Sequence, residues 1–110
     1  MMKLAMSPAA SALLRALLRR SGVTRDRILL TAWRSTDWQS LTLIGERHQV
    51  RLRIPGPEAL QVAERLTSGL DEAEFHIPGQ IVADIICKDL PRALVDGSVE
   101  VEIEALTVEE

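Results

Sequence analysis

At 110 residues, 46% apolar and 26% charged, the chain has the size and balance of one globular domain, which leaves no room for two and argues against wholesale disorder. No apolar run approaches the roughly 18 residues needed to cross a bilayer, and the single cysteine, Cys87, excludes an intrachain disulfide and points to a reducing compartment, the cytoplasm. The net charge of −3 conceals a split: residues 1–54 carry ten bases against three acids (+7), and residues 55–110 carry three bases against thirteen acids (−10).

The first 22 residues, MMKLAMSPAASALLRALLRRSG, are basic, and no acid precedes Asp26. An organelle presequence or a membrane-surface helix has this composition, but a packed amphipathic helix explains more of it. Ser7-Pro8 is a start signal, and Gly22 after Arg19 and Arg20 is a stop, predicting a helix over 8–21. Leu13, Leu14, Leu17 and Leu18 form its apolar stripe, with Arg15, Arg19 and Arg20 on the other side. A three-stranded meander is predicted next, at 27–34, 39–44 and 48–54, with turns at Thr36-Asp37 and Glu46-Arg47. Pro55-Gly56-Pro57 ends it and opens a second helix, whose apolar side holds Leu60, Ala63, Leu66 and Leu70 beside Ala59 and Val62, with Gly69 as terminator.

Strand signals then return at 73–77, at 80–87 and, with clean alternation, at 98–106. Residues 89–97, holding Pro91 and Asp96-Gly97, read as a loop. The Ile77-Pro78-Gly79-Gln80 segment suits a bend or bulge better than a tight hairpin, because Pro-Gly favours a type II turn. The predicted order is α-β-β-β-α-β-β-β over a single domain, residues 1–110. Its simplest architecture is an α+β fold, one mainly antiparallel sheet with both helices on one face.

Alternation assigns the faces. With turns at 36–37 and 46–47, Leu43 meets Val50, Leu41 meets Leu52, Ala32 meets Leu41 and Leu30 meets Leu43, all toward the helices. Val99, Val101 and Ile103 join them. The opposite face then carries Leu29, Thr31, Trp33, Ile44, Arg51 and Arg53, with Glu100, Glu102 and Glu104 nearby. Three uses suit such a face: a solvated surface with arginine–glutamate pairs, a dimer interface anchored by Trp and Arg, or a site for a small anionic or aromatic ligand.

Residues with chemical potential are few. His48 falls on the apolar side at a hairpin end and reads as a half-buried histidine. His76 reads as exposed. Cys87 continues Ile81, Ala83 and Ile85 and reads as a small, unreactive core residue. Asp84, between Val82 and Ile86, wants a cationic partner such as Arg51 or Arg53. No phosphate-binding loop, dinucleotide turn, nucleophile elbow or paired-cysteine motif occurs, and no cofactor or metal is expected. The α-β-β-β-α order resembles the double-stranded-RNA-binding module, but Pro55-Gly56-Pro57-Glu58-Ala59 puts an acid where that module needs lysines, so nucleic acid is not an expected partner.

Asp37-Trp38 followed by LTLIGERHQVRLRI, and later HIPGQIVADI, resembles small uncharacterised bacterial proteins of about this length, from about residue 25 onward. That resemblance implies no activity and no catalytic residue. The sequence therefore points to a binding domain that forms a homodimer through the face around Leu29, Thr31, Trp33, Ile44, Arg51 and Arg53, with no membrane partner. The alternative is a small-ligand binder or enzyme with a pocket between sheet and helices, using His48 or Asp84.

Overall fold

The first helix forms where its two end signals stand. In the computed structural model, which describes residues 6–110, α1 spans Pro8–Ser21. Lys3 and the start of the basic N-terminal stretch lie outside the described residues. Ser7 caps α1 by accepting from the Ala10 amide at 3.1 Å, and Gly22 closes it in the left-handed region at φ 77°. Leu13 and Leu17 are fully buried, and Leu14 and Leu18 pack at their margin. The missing acid of the first turn comes from elsewhere: the Ser7 hydroxyl donates to Glu46 Oε1 at 2.6 Å, setting a carboxylate at the positive end of α1.

Two long strands stand where three were expected. β1 covers Leu29–Gln39 and β2 covers Ile44–Ile54, antiparallel to each other. The pairs Thr36-Asp37 and Glu46-Arg47 look like turns but face each other across the ladder, Thr36 with Arg47 and Asp37 with Glu46. The chain reverses at Ser40–Leu43 instead. There the Ser40 amide donates to the Leu43 carbonyl at 2.9 Å and the Leu43 amide donates to Ser40 Oγ at 3.1 Å. A bulge between Leu30 and Ala32 shifts the register, so Leu30 and Trp33 point to the same side.

Helix α2 spans Ala59–Thr67 and buries Ala59, Val62, Ala63 and Leu66; Leu60, expected in the core, turns outward. A 3-10 turn at Leu70–Glu72 follows, entered through Gly69 at φ 65°, and it buries Leu70. Residues 73–77 form no strand. Only an isolated bridge joins Ile77 to Gln80 around Pro78-Gly79, as the Pro-Gly chemistry suggests. β3 (Gln80–Cys87) and the two-residue β4 (Arg92–Ala93) then run in succession along one side of β5 (Val99–Glu109). A second bulge, between Val82 and Asp84, turns Val82 inward and leaves Ile81 outside.

The sheet order is β1-β2-β5-β3, with β4 beside β5, and every pairing is antiparallel. Element order is therefore α-β-β-α-β-β-β in an α+β fold. Both helices bury against one sheet face, in a single core joining Leu13, Leu17, Val62 and Leu66 to Val50, Leu52, Val101 and Ile103. Their C-terminal ends meet. Arg20 of α1 donates to the Leu66 and Ser68 carbonyls, and Arg65 of α2 donates to the Ser21 carbonyl at 3.0 Å. Each helix thus supplies the cation that its neighbour's negative end favours.

Strands and helices differ in reach, and this positions everything that follows. An eleven-residue strand extends about 35 Å at ~3.4 Å per residue, while the fourteen-residue α1 extends about 21 Å at ~1.5 Å per residue. The hairpin end of the sheet overhangs the helices. Leu41, Leu43 and Ile44, expected as core or patch residues, project from this overhang and are exposed.

Candidate functional site

The outer sheet face is a charge ladder. Arg51 on β2 pairs with Glu102 on β5 at 3.1 Å, Lys88 beyond β3 with Glu104 at 3.9 Å, and Arg92 on β4 with Glu100 at 2.5 Å. Arg53 turns to the loop before β5, donating to Ser98 Oγ at 2.9 Å and pairing with Asp96. The Ser98 hydroxyl and amide, with Arg53 behind them, hold the Asp96 carboxyl at about 2. The charge split between the halves of the chain is thus answered in part within one molecule, β2 bases against β5 acids. Each exposed pair is screened by solvent and contributes little to stability. A shallow groove of about 260 Å³ runs over Arg34, Gln49, Arg51, Lys88, Glu102 and Glu104. Two of its three cations are already paired.

The six residues nominated from sequence do not share one face. Leu29, Arg51 and Arg53 lie on the outer side. Trp33, paired with Val50, and Ile44, in line with His48 and Val50, lie on the helix side; Thr31 sits in the bulge, its hydroxyl donating to the Arg51 carbonyl at 3.1 Å. Asp84 pairs with Leu106 on the outer side, away from Arg51 and Arg53. Cys87 lies on the helix side opposite Ile103, partly buried, and burial raises its thiol pKa above the ordinary value.

His48 is fully buried in mid-strand, not half-buried at a hairpin end. Its Nδ1 lies 2.8 Å from Ser35 Oγ on β1, and its Nε2 lies 2.9 Å from Thr107 Oγ1 on β5. Trp33 packs over the ring, centroid to centroid 5.7 Å, and donates through Nε1 to Ser35 Oγ at 2.7 Å. The imidazole bridges three adjacent strands, and with both nitrogens engaged it has no lone pair to spare for a metal or a substrate proton. Sequence reading missed Ser35 and Thr107. The available signal was that a histidine on an apolar face needs two polar neighbours, and hydroxyls on flanking strands are the simplest supply.

Burial lowers the His48 pKa, with the Glu46 carboxylate opposing. The sign follows: below the unfolded value of about 6.5 the unfolded chain binds the proton more readily. Unfolding free energy from urea titrations should therefore decline as pH falls from 7.5 through 6.5 toward 5.5, above the carboxylate range. His48→Asn should flatten that slope, whereas an equal slope in the variant would place the titration elsewhere.

What remains is β1 itself. Except for Trp33 and Trp38, which are half-buried, every residue from Leu29 to Gln39 is exposed. α2 sits over β2 and β5, α1 packs against α2, and among the described residues no strand lies beyond β1. On the helix side a slot of about 490 Å³ separates it from the start of α1, lined by Met6, Ser7, Leu30, Trp33, Ser35 and Glu46. The free edge is regular from Ala32 to Gln39. Since Ser40 and Leu43 form a bonded pair at the turn, alternation directs the backbone groups of Trp38, Thr36 and Arg34 toward β2. Those of Asp37, Ser35 and Trp33 then point outward.

The opposite edge is guarded. It is broken by the bulge after Val82, carries Lys88 and Pro91, and ends in the two-residue β4. These are the devices that stop a sheet from adding strands. β1 has neither lysine nor proline. No family model, curated protein or solved structure matches the chain.

Proposed function

We propose that this protein is an interaction domain that works by adding a strand from a protein partner to the free edge of β1. The observation carrying this reading is the contrast between the two sheet edges, one interrupted in mid-strand and lysine-bearing, the other exposed and regular from Ala32 to Gln39, past the bulge at its start. Main-chain hydrogen bonds from the outward groups of Trp33, Ser35 and Asp37 supply affinity, and the side chains beside them supply selectivity. Trp33, Trp38 and Arg34 are the residue types that dominate protein contacts. The buried clamp through His48 holds the strand that presents them. The lone, partly buried thiol of Cys87 suits a reducing compartment, and we place the protein in the cytoplasm. Among the described residues, no helix is long and apolar enough to cross a membrane.

Residue-resolved hydrogen exchange tests the reading on protein isolated from its own host. With a strand added, the amides of Trp33, Ser35 and Asp37 exchange as slowly as those of Arg34, Thr36 and Trp38. An alternating pattern, fast at the outward amides and slow at the inward ones, would leave the edge empty and overturn the proposal.

A further inference from the structure

We infer that the strand added at β1 is β1 of a second copy of this chain, antiparallel, about a two-fold axis passing between the two Thr36 residues. This rests on the edge reading above, and it names the partner and the register. An axis normal to the sheet keeps both helix layers on the same side and sets residues of one face opposite residues of the same face. Within that constraint the centre of the pairing can lie at only a few positions.

Charge removes two of them. Centring on Arg34 would oppose two guanidinium groups, and centring on Asp37 would oppose two carboxylates, each directly across the strands and destabilising. Centring on Ser35 sets Arg34 against Thr36 and Trp33 against Asp37, with no complementary charge or aromatic pair. Centring on Thr36 sets Arg34 against Trp38 twice, a guanidinium on an indole, with both residues on the outer face. It also sets Ser35 against Asp37 and Thr36 against itself, a hydroxyl pair of the kind that favours sheet neighbours.

The ends of the strand agree with this choice. On the β1–β2 hairpin the exposed apolar residues fall in two groups, Leu29 and Leu30 at the start of β1, and Leu41, Leu43 and Ile44 at the hairpin tip. An antiparallel partner brings the tip of one copy beside the strand start of the other, so each group covers its counterpart. The five-stranded sheet becomes a continuous sheet of twice that number, with the guarded β3–β4 edges outermost.

Thr36→Cys in a Cys87→Ser background tests the register. Thr36 directs its backbone groups toward β2, so across the two-fold it forms a non-bonded pair with Cα atoms about 4.5 Å apart, inside the roughly 4.4–6.8 Å that a disulfide spans. Mild oxidation should convert the bulk of this variant to a disulfide-linked pair of twice the chain mass. If it stays reduced alone but cross-links to Arg34→Cys when the two are mixed, the register has slid to Ser35 and the Thr36 centre is wrong. If it stays reduced and sediments as a monomer while the outward amides of the host-isolated protein remain protected, another protein occupies the edge. The second copy is then overturned and the edge reading stands. Unprotected amides would remove both.

Discussion

Gly45→Ala should cost at least the upper part of the about 1–3 kcal/mol typical of overpacking, and in a domain stable by only about 5–15 kcal/mol it should shift the urea midpoint plainly. Gly45 is buried in β2 and does not have a positive φ, so its backbone shape suits any residue. Space is what it lacks. A Cβ there would overlap the Thr107 carbonyl oxygen and lie 2.9 Å from the Val108 Cα, both main-chain atoms of β5 that cannot swing aside. Trp38 lies directly opposite on β1, and the glycine lets β5 approach β2 closely on its other side. The same strand carries Thr107, so a displaced β5 would also strain the His48 clamp. A variant within about 0.5 kcal/mol of the parent, the range of a harmless surface change, would show that β5 yields and that the close approach is not needed.

Asp37→Pro should separate assembly from folding. The amide it removes points away from β2, so the β1–β2 ladder keeps its hydrogen bonds, as prolines on edge strands generally allow. Stability should change by no more than about 1 kcal/mol, the scale of a surface substitution plus a modest backbone effect. An added strand loses a donor in the middle of its contact, and sedimentation velocity should show a folded monomer where the parent assembles. Thr36→Pro is the converse. It deletes an inward amide, orphans a carbonyl on β2 and should cost about 1–3 kcal/mol in unfolding experiments. Equal assembly of Asp37→Pro and the parent would move the contact surface off this edge.

The contrast between neighbouring positions shows what the sequence makes legible. The limits of α1 were readable because Ser7, Pro8 and Gly22 act locally, through groups within four residues of themselves. The alternation of Val99, Val101 and Ile103 was equally plain, because β5 is central and covered by helices. The hairpin was misplaced because polar pairs at 36–37 and 46–47 imitate turns, whereas the true turn, Ser40-Leu41-Thr42-Leu43, imitates a strand. Nothing local records that the strands outrun the helices and leave those leucines uncovered. Two bulges, after Leu30 and after Val82, reverse the face assignment without any glycine or proline to mark them. That is why alternation alone puts Trp33 on the face of Arg51 and Arg53. The His48 clamp joins residues 59 apart in the chain and becomes visible only when β5 lies against β2.

The arginines exchanged between the ends of α1 and α2 bear on how the helix layer comes apart. If α1 frays, Arg20 leaves the Leu66 and Ser68 carbonyls, and Arg65 loses Ser21. The last turn of α2 then has unpaired carbonyls of its own and a weaker hold on Leu66. The two termini are thus fastened to each other, and the opening of one end loosens the other. Their amides should open together as one cooperative unit, with nearly the same free energy, even though 37 residues separate Ser21 from Ala59 in the chain.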